Sequence, residues 1–252
     1  MFSLEIECLQ DDRELLIAEL WEQGSAGIVE LDELRVRAFF EDGAPREALL
    51  RLYPGALLRR EEERDWVQSA RDLLQPMTVG ERFFLGPVWR DDPAPAGRFR
   101  IAVNPGMAFG TGVHETTRLC IEALERHVRP GMAILDVGTG SGILAEAARL
   151  LGASPVWACD LDPVAVEIAG NGFVGSAEAV RTGAADLVVA NISPEAIVQL
   201  APELLRVLRP GGILLASGFE ANEAGRVQAV LPAGEVRTKG NWALLETHPG
   251  SA

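Results

Sequence analysis

The sequence predicts an α/β protein: a doubly wound, mostly parallel, Rossmann-like sheet, with a small α+β ferredoxin-like N-terminal domain ahead of it. Three observations carry this. From Ala133 onward, short apolar runs alternate with helix-patterned segments, the signature of parallel strands joined by crossover helices. The first of these runs, ending at Val137, enters Gly138-Thr139-Gly140-Ser141-Gly142 and then a helical pattern, which reads as buried strand, glycine turn and helix start. Residues 1–58 read strand, helix, strand, strand, helix, strand, the split βαββαβ order.

In chain order, Phe2, Leu4, Ile6 and Cys8 alternate as on a half-buried strand. Asp11 with Glu14 makes a capping-box start, and Leu16, Ile17, Leu20 and Trp21 share one face of the helix that Gly24 ends. Residues 26–31 and 34–40 form a hairpin around Asp32-Glu33. A helix follows over 45–52, with Pro45 in its first turn, and a last strand over 56–59. The charged run that opens at Arg59 reads as a linker helix over 59–75, stopped by Gln75-Pro76. Two strands over 82–88 and 97–103 flank a turn-rich loop, expected to be mobile. A helix carrying Leu119, Ile121 and Leu124 ends near His127. Later strands are expected over 133–137, 156–160, 173–175, 187–190 and 213–217, with helices beginning near Gly142, Pro163, Pro194 and Ala221. Arg209-Pro210-Gly211-Gly212 reads as a turn, and segments 235–238 and 242–246 as a closing antiparallel pair. The division is thus 1–58, 59–75 and 76–252.

Composition narrows the function. The 252 residues carry a formal net charge of −14, which opposes holding a phosphate backbone by bulk electrostatics and favours a basic partner. Solubility alone is the other use of such acidity. Cys8, Cys120 and Cys159 are scattered, as for buried thiols in a reducing cytoplasm. Three histidines without ligand spacing argue against zinc. No signal-peptide order opens the sequence and no apolar run is long enough to span a membrane, so a cytoplasmic location is expected.

The chemistry-bearing residues gather at the ends of expected strands. The glycine spacing is G-x-G-x-G, and Ile143 stands where a dinucleotide fingerprint would need its third glycine. Asp160 ends the next strand, where a carboxylate accepts both hydroxyls of a ribose. Asp162, before Pro163, reads as a helix cap. Together these suggest a nucleoside ligand, S-adenosylmethionine ahead of NAD. Asn191, delivered by the strand before Ser193-Pro194, is placed against the cofactor or the incoming nucleophile; a turn-forming role is its alternative. A second glycine loop, running from Asn104-Pro105-Gly106 through Phe109-Gly110-Thr111-Gly112 to Thr117, is expected to form part of the pocket. His114 within it reads as structural rather than as a general base.

The Asp136–Gly142 stretch, Asp160 and Asn191 resemble class I S-adenosylmethionine-dependent methyltransferases. The longer combination is similar to the ribosomal protein L11 methyltransferase family: Pro105-Gly106-Met107-Ala108-Phe109-Gly110-Thr111-Gly112-Val113-His114 with Thr116-Thr117, then Ala190-Asn191-Ile192, and Asp65-Trp66, Pro76-Met77 and Gly80-Glu81-Arg82 upstream. The stretch from Pro163 to Asp186 is shorter than in many members. The resemblance implies methylation of lysine side-chain and N-terminal amines of one large-subunit ribosomal protein, free or on the large subunit, which the N-terminal domain grips. It implies cofactor contacts at Thr117, Gly138, Asp160 and Asn191. Gly110, Thr111, Gly140 and Gly142 join them from the two glycine loops, with Asn191 and Phe109 as the residues at the reacting amine. Membrane association and direct sequence-specific nucleic-acid binding are not expected. The rival readings are methylation of a nucleic-acid base or a glutamine amide, and a non-catalytic regulator that senses the nucleoside.

Overall fold

A computed structural model describes residues 1–8, 13–32, 34–60, 75–103, 114–170 and 172–250. Its chain divides into two compact units, Met1–Leu73 and Leu74–Ala252.

The first unit contains β1 (Phe2–Glu7), α1 (Arg13–Glu22), β2 (Gly27–Asp32), β3 (Arg35–Phe40), α2 (Arg46–Leu52) and β4 (Leu57–Arg60). Its sheet has the order β2-β3-β1-β4, with every pair antiparallel. Alternation along β1 and β3 sends Phe2, Leu4, Ile6, Val36, Ala38 and Phe40 to one face, where Leu20 and Leu49 from the helices complete the core. The opposite face carries Glu5, buried, with Arg35, Arg37 and Arg59 at 3.0, 2.9 and 3.3 Å. The Arg37 hydrogen bond and the three guanidinium charges hold its carboxyl below the usual carboxylate range against the opposing effect of burial.

Two expectations for this unit are corrected. Trp21 is 53% exposed, because a ten-residue helix seats only the narrow seam of Leu20 and its neighbours one turn back. Arg59 and Arg60 do not open a linker helix; they pair with Ser3 and Phe2 as the end of β4. Residues 61–74 of that expected helix, and Asp11 of the expected cap, lie outside the described residues.

The second unit opens with a three-stranded sheet of β5 (Met77–Val79), β6 (Phe83–Pro87) and β7 (Phe99–Val103), in that order. β5 is too short to show a sequence pattern. β6 and β7 run parallel. The loop between them, expected to be mobile, is laced by side chains: Arg90 donates to Asp92 and Gln75, and Arg100 to the Pro87 and Arg90 carbonyls.

The main sheet has seven strands: β8 (Ile134–Val137), β9 (Val156–Asp160), β10 (Gly172–Val174), β11 (Ala185–Asn191), β12 (Leu208–Glu220), β13 (Gly234–Lys239) and β14 (Trp242–Thr247). Their order is β10-β9-β8-β11-β12-β14-β13. The first five are parallel; β14 runs antiparallel to both β12 and β13. Helices α3 (Glu115–His127), α4 (Ile143–Leu150), α5 (Pro163–Ala169), α6 (Pro194–Arg206) and α7 (Ala224–Gln228) complete the unit. The strands bury both faces. Ile134, Leu187, Val189 and Leu215 pack with α3 and α4, while Leu135, Val188, Ala190 and Leu214 pack with α6 and α7.

The expected turn at 209–212 lies within β12. The ladder to β11 slips from Ala185↔Leu208 to Leu187↔Ile213, so the extra residues loop out as a bulge, with Gly211 at φ +77°. No helix among the described residues is long and apolar enough to cross a membrane.

After β10 the chain returns to the far side of β8 to form β11. The carboxyl ends of β8 and β11 therefore flank the switch point of the sheet, the crevice where open α/β sheets bind ligands.

Candidate active site

The residues at that crevice are placed by the turns that leave each strand. Gly138 and Thr139 donate their N–H groups to the Cys159 carbonyl at 2.8 and 3.0 Å, folding the chain over the end of β9. Gly138, Gly140 and Gly142 have φ of +71°, +51° and +76°, which side-chain-bearing residues rarely adopt. α4 starts directly behind, so its first N–H groups look out beside the turn.

Asp160, at the end of β9, is half-buried. Its Oδ2 accepts from the Gly140 N–H at 2.9 Å and its Oδ1 from the Asp162 N–H at 3.0 Å. Each oxygen keeps a lone pair for a further donor. Asp162 caps α5, as read from the sequence, accepting from the Val164 N–H at 2.9 Å.

At the end of β11, the Asn191 side-chain N–H donates to the Thr117 hydroxyl at 3.4 Å. Thr117 sits in the first turn of α3 and is fully buried. The Asn191 Oδ1 atom is buried and has no hydrogen-bond partner among the described residues. His114 caps α3: its Nδ1 lies 2.7 Å from the Thr116 hydroxyl and accepts from the Thr116 N–H, while its ring meets Trp242 edge-on at 4.4 Å. That is the structural role expected of it.

Thr117, Gly138, Gly140, Asp160 and Asn191 all line one cavity of about 310 Å³, together with Thr139, Ile143 and Ile192. Of the residues singled out from the sequence, Gly142 stands outside it. A Cβ there would lie 2.9 Å from the Ala169 Cα, so the glycine serves the approach of α5 to the turn. Phe109, Gly110 and Thr111 lie outside the described residues.

Sequence reasoning assigned nothing to Asp136. Its carboxylate is wholly buried in β8; Oδ2 accepts from the Thr139 hydroxyl at 2.7 Å and the Ala145 N–H at 3.1 Å, tying strand, turn and helix together. Its Oδ1 has no partner among the described residues. Burial pushes this carboxyl up to about 6, against the two hydrogen bonds that favour the charged form. The available signal was an acid inside an apolar strand immediately before a glycine turn.

The cavity lining fits a nucleoside sulfonium: a carboxylate with free lone pairs where ribose hydroxyls would sit, a side-chain-free turn for close approach, and, among the described residues, an unmet buried acceptor at Asn191. The volume is at the low end for small-molecule pockets, roughly 300–1,000 Å³. Fold and cavity together define a doubly wound α/β domain with a switch-point ligand site.

Comparison with known proteins makes this specific. The family model described as ribosomal protein L11 methyltransferase (PrmA) matches residues 54–248. The ribosomal protein L11 methyltransferase of Pelotomaculum thermopropionicum is 42% identical over 218 residues, covering 78% of this chain and 71% of that one. The one from Symbiobacterium thermophilum is 40% identical over 240 residues, 89% and 78% of the two chains. The crystal structure of a ribosomal protein L11 methylase from Lactobacillus delbrueckii subsp. bulgaricus superposes with a TM-score of 0.64 at 29% identity, over 69% of this chain and 99% of that one. The chain belongs to the ribosomal protein L11 methyltransferase family, whose members are S-adenosylmethionine-dependent protein methyltransferases.

Proposed function

We propose that the acceptors are amines of ribosomal protein L11, lysine side chains and the N-terminus, and that Asn191 meets the amine inside the 310 Å³ cavity. The observation that carries this is the pairing of Asn191 with Thr117: one end of the amide is held, and the buried Oδ1 is left as an acceptor for an N–H. Asp160 would hold the ribose hydroxyls of S-adenosylmethionine, with Gly138 and Gly140 against its chain. When bound, that cofactor supplies an electrophilic methyl carbon whose leaving group is a neutral thioether.

The chain's own work is then positioning and desolvation. A lysine amine, ordinarily near a pKa of about 10.4, must shed a proton before its lone pair can react. A carboxamide is no base, so Asn191 orients the neutral amine and solvent takes the proton. Desolvation in the cavity lowers the pKa of the amine. Holding amine and methyl in line accounts for most of the acceleration such a site can give. Phe109 is assigned to the wall around the amine.

We assign recognition of L11 to the first unit, whose β2-β3-β1-β4 order supports a ferredoxin-like domain. With β4 running to Arg60, the proposed division becomes 1–60 for recognition, 61–75 as the linker and 76–252 for methyl transfer. The net charge of −14 suits a basic protein substrate in the cytoplasm better than naked nucleic acid. Incubating the chain with methyl-labelled cofactor and either L11 or protein-free ribosomal RNA tests the assignment. Label on L11 amines, located by peptide mass analysis, is expected; label on the RNA, or on glutamine amides, overturns it.

A further inference from the structure

Two glycines, one in the turn after β8 and one in β12, make room for one residue, Ile192, which follows Asn191 at the exit of β11. On one side stands Gly138, where a Cβ would collide with the Ile192 Cγ2 methyl. On the other stands Gly218, at φ +103°, where a Cβ would collide with the Ile192 carbonyl oxygen. Gly218 is in place because the β12–β14 ladder slips between Ser217 and Phe219, a bulge that turns the backbone toward Ile192. The Ile192 N–H donates to the Ser217 carbonyl at 3.1 Å and fixes the peptide from the same side. A glycine inside a strand weakens it by about 0.5–1 kcal/mol, so an arrangement that merely led the chain out of β11 would have no use for the second one.

We propose that Ile192 is a positioning residue for methyl transfer. Wedged between Gly138 and Gly218, it sets the spacing between the glycine turn on the donor side and Asn191 on the acceptor side. This rests on the reading of the cavity given above. The contacting methyl is the β-branch, the stiffest part of the side chain, with one strongly preferred χ1. A wedge built from it transmits position without play. Misplacing reacting groups by about 1 Å costs on the order of a hundredfold in rate.

The test compares I192V, I192L and I192A in the full chain. Valine keeps the β-branch and loses only the outer methyl. Leucine keeps the carbon count and moves the branch one atom outward. Single-turnover methyl transfer to L11 is measured beside the Kd for S-adenosylmethionine by calorimetry and the melting temperature. I192V is expected within threefold of the parent rate. I192L and I192A are expected to lose tenfold or more in rate, with Kd changed less than threefold. A parent-like rate in I192L, or a rate loss matched by an equal loss of cofactor affinity, overturns the positioning role. Should I192A fail to fold, the valine–leucine comparison decides by itself. If the parent chain binds no S-adenosylmethionine, or D160A binds it as the parent does, the reading of the cavity falls instead.

Discussion

Asn191 and Thr117, 74 positions apart in sequence, meet through a side-chain hydrogen bond of 3.4 Å between the end of β11 and the first turn of α3. The bond commits one N–H of the amide to the protein, while the buried Oδ1 has no partner among the described residues. Thr117→Val keeps the shape and removes the hydroxyl, leaving a half-buried N–H unpaired, a loss of about 1–3 kcal/mol. If that loss falls on the barrier, the methyl-transfer rate should drop by roughly fivefold to 150-fold, and T117S should restore it. A parent-like rate in T117V, measured in single turnovers, would show that Asn191 orients itself without help.

Asp160→Ala should weaken cofactor binding. Two hydrogen bonds from ribose hydroxyls to a charged acceptor are worth about 1.5–3 kcal/mol each, so the Kd should rise by at least tenfold. The substitution also frees the Gly140 N–H. D160N, which keeps an acceptor there, should fall between the two. Calorimetry with S-adenosylmethionine checks the order; equal affinities across the series would remove Asp160 from the ribose.

Asp136 makes a pH prediction. Folding raises its carboxyl from 3.8 to about 6, so the folded chain binds the proton more tightly than the unfolded one. Its stabilising contribution is therefore complete below the unfolded value and is lost as pH rises through about 6. Asp136→Asn has no charge to bury, and its Oδ1 can still accept from Thr139 or Ala145. The melting temperature of D136N relative to the parent should climb from about pH 4 to about pH 7 and then level off. Parallel melting curves across that window would mean that the carboxylate is not penalised by burial.

Gly142→Ala separates packing from binding. The alanine would have to hold φ +76° and stand 2.9 Å from the Ala169 backbone. Strained backbone of this kind costs about 1–3 kcal/mol, so the melting temperature should drop by several degrees, while the cavity lining itself is untouched. Cofactor affinity measured well below the melting temperature should stay within a fewfold of the parent; a large loss of affinity at unchanged stability would put Gly142 back at the ligand.

Removing the first unit, residues 1–73, should leave cofactor binding in place and abolish methylation of L11. Intact-mass measurement on L11 treated with either form checks this. Full modification by the truncated chain would take recognition away from the first unit.

Much of this was legible in the chain before folding. The alternation of apolar runs with helical patterns located the strands because a sheet buried on both faces needs continuous apolar segments. That Gly138, Gly140 and Asp160 gather at one cavity was expected, because a tight turn followed by an acid one strand later leaves a local record. Asp162 and Pro163 marked a helix start by capping chemistry that acts over three residues. Arg59 and Arg60 misled, because a charged run resembles a solvated helix until the partner strand and Glu5 are in view.

Other relationships belong to the tertiary structure alone. Nothing near Asn191 in sequence names Thr117 as its partner, and nothing near Ile192 says that Gly138 and Gly218 make space for it. Gly142 is a similar case: beside the other glycines it reads as ligand-facing, and only the fold shows that Ala169 of α5 comes within 2.9 Å of where its Cβ would stand. Local sequence determines φ preferences, caps and periodicity, since these arise within a few residues. Which buried atoms are left unpaired, and which face a cavity, is settled by contacts between segments far apart along the chain, and the chemistry of the site is written in those contacts.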